Sequence, residues 1–153
     1  MAGGEDPRLR DVAREALTIG DTASAVVFTV APGSSDLELA AAAGVEGPPL
    51  EGLLAAVRNP AHPVTRALSD DGPSFDVRPT APGGPALRSH IPLRPAAGPA
   101  TAAVGVLALA HESPMSEPNR RKLVALAERA AAAVVDSRGP LSPGGPGRLT
   151  NLD

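Results

Sequence analysis

Residues 86–110 read ALRSHIPLRPAAGPATAAVGVLALA, and their patterning decides the fold class. Over 86–94, Leu87, Ser89, Ile91 and Leu93 alternate with Arg88 and His90. That period of two marks a strand with two unlike faces. Pro92 lacks an N–H, so an edge or bulge position is expected there. Residues 96–99 make a turn, and 100–110 then run apolar on both faces. A strand of that kind is covered on both sides and belongs at the centre of a sheet. Gly105 within it implies close approach of another element or of a ligand.

On the C-terminal side, Met115-Ser116 has the form of a hydrophobic staple residue before an N-cap. A long helix is predicted over 117–137, with Leu123, Leu126, Ala127, Ala130 and Val134 at helical spacing. Its small residues Ala127, Ala130 and Ala131, with Val134, permit close helix–helix approach and so a dimer contact. On the N-terminal side, Gly47-Pro48-Pro49 breaks the chain ahead of a short helix over 50–57. A second short helix over 64–68 follows the turn at 59–63, and residues 74–77 form a brief extended segment. Residues 23–31, ASAVVFTVA, are β-branched and end in a turn at 32–35. Residues 36–42, DLELAAA, alternate and pair with them as a hairpin, although Leu, Glu and Ala also favour helix. Asp6-Pro7 opens the first helix, whose apolar stripe is Leu9, Val12, Ala13, Ala16 and Leu17. Residues 1–5 read as a disordered leader, 6–137 as the domain, and 138–153 as a disordered Pro/Gly-rich tail.

The resulting order is helix, two strands, short helices, two strands, long helix. It predicts an α+β domain: a central antiparallel sheet with the N- and C-terminal helices on one face and short helices and loops on the other.

Composition narrows the chemistry. The chain has 153 residues, 42% hydrophobic, enough for one core. Aromatics are 1%, and Phe28 and Phe75 are the two that occur, so Ala, Val and Leu must fill the interior. A single lysine, Lys122, among arginines, with abundant Ala, Pro and Gly, suggests GC-rich bacterial coding. A net charge of −3 argues against nucleic-acid binding, which needs a basic surface. The basic run Arg120-Arg121-Lys122 reads as a solvated helix face. Without cysteine there are no disulfides, thiol nucleophiles or zinc–thiolate sites. The polar start lacks a signal-peptide core and no run is long enough to span a membrane, so a cytoplasmic location is expected.

The chain resembles the GAF family of small-molecule sensor domains. Residues 87–93 ending in Ile91-Pro92-Leu93, followed by Val104-Gly105-Val106-Leu107-Ala108-Leu109, resemble the family's last two strands. His62-Pro63, a short helix and Gly72-Pro73 resemble its mid-domain segment, and Leu126-Ala127 with 130–134 its closing helix. The resemblance covers roughly 6–137 and implies a profilin-like sheet with a pocket between the sheet and the mid-chain helices. It also implies dimerisation through the terminal helices and a role in signal transduction. The sequence departs from the better-defined subtypes. It has no cysteine for bilin attachment or for the methionine sulfoxide reductase variant, and the Asn-Lys-Phe-Asp-Glu motif of cyclic-nucleotide binders does not appear.

The candidate ligand-binding residues are Phe28, His62, Phe75, Asp76, Arg88 and His90. Arg88 and His90 share one strand face, where the Arg fork could hold an anion. Asp76 follows Phe75 and could project toward the cavity mouth. The bland reading of Asp70, Asp71 and Asp76 is turn chemistry. His62, His90 and His111 are too scattered for a short-spaced metal motif, and no metal or cofactor is expected. Ser34, Ser89 and Ser116 lack a nucleophile-elbow context, no phosphate-binding loop is present, and no enzymatic activity is expected. Two functions remain: a stand-alone sensor module for a small molecule, dimerising and acting in trans on an output protein, or an interaction module with a vestigial pocket.

Overall fold

The structure, a computed structural model, describes residues 7–30, 36–69, 72–78, 87–95 and 103–137. The expected leader and tail, the turns at 32–35 and 96–99, Ser34, and Asp70 and Asp71 lie outside the described residues. In chain order the elements are α1 (Pro7–Ala16), β1 (Thr22–Val30), β2 (Leu37–Ala43), α2 (Pro48–Ala56), α3 (Pro63–Arg66) running into a 3-10 turn (Ala67–Ser69), β3 (Ser74–Val77), β4 (Leu87–Leu93), β5 (Gly105–His111) and α4 (Glu117–Ser137). The strands form one antiparallel five-stranded sheet in the order β2-β1-β5-β4-β3.

The doubly apolar stretch is the central strand, β5, and every residue in it is buried. It runs 105–111 rather than 100–110, because the chain joins the ladder at Gly105 and continues through His111. Gly105 is required there. A Cβ would collide with the Phe28 carbonyl of β1 and press on Leu93 of β4. The close approach inferred from the sequence is thus that of neighbouring backbone.

The brief extended segment 74–77 is a paired strand at the sheet edge. Its pairing with β4 reaches from Arg88 to His90 and no further. Pro92 therefore stands beyond the end of its outer neighbour, where a missing N–H breaks no β3–β4 bond. At the opposite edge, β2 carries a bulge. Val27 pairs with Ala41 and Phe28 with Leu39, leaving Ala40 as the extra residue.

Alternation divides the apolar residues between the two faces. One face presents Ala25, Val27, Ala41, Ile91, Leu93, Leu107 and Leu109 to α1 and α4. There α1 lies over β1 and β2, and α4 over β4 and β5. The α1 stripe Leu9, Val12, Ala13 and Ala16 is buried as expected. Ser116 caps α4 by accepting from the Asn119 N–H (3.3 Å), and Met115 packs into the core before it. The small-residue stripe of α4 is not available to a second subunit. Ala127, Ala130, Ala131 and Val134 are buried within the protomer, where small side chains let α4 settle on α1 and the sheet. The exposed Ala and Val residues of α4 are Ala125, Ala132 and Val135, the last 42% exposed.

The other face is smaller. Val26, Phe28, Val106 and Ala108 meet Val57, Val64 and Ala67, with Leu50, Leu53 and Leu54 half-buried around them. No residue of α2 is fully buried.

Candidate functional site

The candidate residues do not converge on one point. Phe28 and His90 lie on the sheet face under the mid-chain helices, both buried. His90 is opposite Ala108 and Arg88 opposite Ala110, so both side chains belong to that face, and Arg88 is partly exposed. Phe28, 0% exposed, packs within the apolar cluster between the sheet and the mid-chain helices.

His62 borders the same face through backbone chemistry. It is the N-cap of α3, and its Nδ1 accepts from the Val64 N–H at 3.2 Å. Partial burial lowers the pKa of the imidazole below its ordinary 6.5 by penalising the charged form. That direction suits the cap, because Nδ1 accepts only while unprotonated.

Phe75 and Asp76 sit elsewhere, on the α4 side of the sheet. Phe75 packs at the margin of the larger core, with the Arg120 guanidinium over its ring at 4.9 Å. Asp76 projects toward α4. Its Oδ1 accepts from the Met115 N–H (2.9 Å) and its Oδ2 from the Arg120 guanidinium (2.6 Å). Arg120 is therefore a paired, half-buried member of the basic run, whereas Arg121 and Lys122 are exposed. Asp76 has φ +59°, the left-handed region that Asp tolerates better than most residues.

Two ties were not visible in the sequence. Ser89 Oγ and His111 Nε2 meet at 2.8 Å, and His111 Nδ1 lies 2.8 Å from the Ser113 carbonyl. A carbonyl can only accept, so Nδ1 carries the hydrogen, and in the neutral ring Nε2 accepts the Ser89 hydroxyl. Ser89 Oγ also accepts from the Asp76 N–H. A serine, an imidazole and an orienting carbonyl are the parts of an activated nucleophile. Here both side chains are 0% exposed, which leaves no approach for a substrate. The second tie is Asp21, whose Oδ1 accepts from the Glu112 and Ser113 N–H groups, both at 3.2 Å. Hydrogen bonds from Ser113, side chain first, and from the Glu112 backbone hold its carboxyl below the usual range.

Several grooves on the described surface flank α4. An open one of about 440 Å³ is lined by Phe75, Glu117, Arg120, Arg121, Val124, Ala125 and Glu128. A second, of about 250 Å³, runs between α1 and α4 past Arg8, Asp11 and Arg129. Among the described residues no cluster of three or more His, Asp or Glu could hold a metal ion, and no helix is long and apolar enough to cross a membrane.

No family model matches the sequence, and no curated protein matches it. Solved structures do match. The second GAF domain of DevS from Mycobacterium smegmatis is 24% identical, with a TM-score of 0.63, over 89% of this chain and 98% of that one. The GAF domain from a phosphoenolpyruvate-protein phosphotransferase of Coxiella burnetii is 14% identical, with a TM-score of 0.65, over 85% and 82%. A segment of a methyl-accepting chemotaxis protein, its residues 122 to 287, is 17% identical, with a TM-score of 0.58, over 83% of this chain and 86% of that segment.

Proposed function

We propose that this chain, whose fold is that of a GAF domain, is a non-catalytic regulatory module of a signalling system, with the sheet face beneath α2 and α3 as its ligand-facing side. The observation that carries this reading is the uneven cover of the sheet. On that face α2 buries no residue completely, while His90 and the partly exposed Arg88 place polar groups beside an apolar floor. An apolar floor with a few convergent polar groups suits a small amphipathic or anionic metabolite. The presence of the same fold in a chemotaxis protein supports the signalling role.

A metabolite that binds the folded domain raises its melting temperature, by the equivalent of about 2.7 kcal/mol at a hundred times its Kd. Screening metabolite mixtures by thermal shift tests the reading. The expected result is a shift that Arg88→Ala reduces. The reading fails if nothing shifts the wild type and nothing shifts Phe28→Ala, in which that face has been given room.

A second reading, an interaction module with no ligand, is favoured by Phe28, whose fully buried ring fills the centre of that face. In either reading the subunits would pair through the outward α4 residues Ala125, Ala132 and Val135. Light scattering on Val135→Glu tests this. A wild-type dimer that becomes monomeric is expected, and a wild-type monomer removes the idea.

A further inference from the structure

We propose that Asp76 latches β3 to the start of α4, so that residues 74–77 and 115–121 open and close as one unit, separately from the rest of the domain. The inference rests on the contacts themselves and not on any ligand.

Each segment has one apolar anchor: Phe75, half-buried at the margin of the core, in 74–77, and Met115, buried just ahead of α4, in 115–121. Every residue of β3 is only half-buried, and its ladder with β4 consists of Ser74 opposite His90 and Val77 opposite Arg88, with an irregularity between them. The first buried residue of α4 is Leu123, more than a turn into the helix. Local stability in such places is set by a few contacts, and cooperative units form where those contacts are shared.

Asp76 is where they are shared. One carboxylate reaches both the Met115 N–H and the Arg120 guanidinium, and Arg120 adds a bond from Nε to the Met115 carbonyl (3.1 Å). The same guanidinium lies over Phe75, the neighbour of Asp76. The left-handed backbone at Asp76 is the geometry that turns its side chain out of the ladder toward α4. Non-glycine residues hold that geometry only when their surroundings enforce it. Loosening either end therefore removes what holds the other, and the coupling is reciprocal.

Amide hydrogen exchange on the intact chain tests the latch. Arg120→Met should raise exchange in 74–77 and in 115–121 by the same factor, about tenfold for loss of a charged hydrogen bond. Amides of β1 and β5 should not change. Arg120→Lys, which keeps the charge, should recover part of the protection in both segments together. Asp76→Asn keeps an acceptor for Met115 and tolerates the left-handed backbone, so it should give a smaller but still paired rise. Arg129→Met, which breaks an exposed pair between α4 and Glu15 of α1, should leave both segments unchanged. The proposal is overturned if neither segment responds, if one responds without the other, or if exchange rises equally in β1 and β5.

Discussion

The two faces of the sheet are built from the same alternating strands but covered in different ways. The α1/α4 face carries a ten-residue and a 21-residue helix whose core-facing residues sit at 0–4% exposure. The α2/α3 face carries a nine-residue helix with no buried residue and a four-residue helix opened by a histidine cap. Buried apolar area and unbroken helix length concentrate stability on the first face. The second is held by a smaller cluster around Phe28 and by local caps. One side of the sheet is thus committed to holding the fold, and the other can rearrange at lower cost.

The largest expected effect breaks the committed side. Leu126→Glu places a charge among Leu123, Ala127 and Ala130 with no partner, and the variant should lose its cooperative melting transition. A folded Leu126→Glu protein would mean that α4 is not part of the core. A matched pair of truncations then measures the asymmetry. Leu107→Ala, fully buried under α4, should cost about 3 kcal/mol in urea unfolding, toward the lower end of the range for core leucines. Leu53→Ala, half-buried on α2, should cost about 1 kcal/mol, the typical size for a point substitution. Equal losses would erase the distinction between the faces.

The smallest effect is a pH dependence confined to the second face. The folded pKa of His62 lies below the ordinary 6.5, so below that pH the unfolded chain takes up the proton first. The contribution is therefore full above pH 6.5 and is lost as pH falls from there through the lowered folded value. Exchange at residues 64–67 should quicken over that window, and His62→Asn, which caps without titrating, should remove the dependence. Quickening of the same size in α4 would show that the faces do not act separately.

Much of this division was legible in the sequence. The doubly apolar run fixed β5 as central, and the stripes of α1 and α4 named the residues that meet over the sheet. Ser116 and Met115 marked the start of α4 because capping is local chemistry. What escaped was non-local. Four residues, SFDV, carry too short a pattern to show that they pair, and the partner strand lies beyond a separate connection. The turn of Asp76 toward α4 depends on a left-handed backbone that Asp permits but does not announce. The Ser89–His111 bond follows from the β4–β5 register, which sequence leaves open by two residues in either direction. The Ala stripe of α4 reads as a close-approach surface, and Ala127, Ala130 and Ala131 are buried in the core. Spacing cannot say whether the approaching helix belongs to the same chain.

The contact between α1 and α4 also fixes where the ends of the fold lie. Arg8, in the first turn of α1, bonds to Asp136 and to the Ala133 carbonyl in the last turns of α4. The helices run antiparallel there, and the start of one sits beside the finish of the other. A short linker could splice those ends, making the domain a candidate for circular permutation. By the same geometry a pull on the two ends would peel the helices apart from that end of the seam, before any strand is stretched.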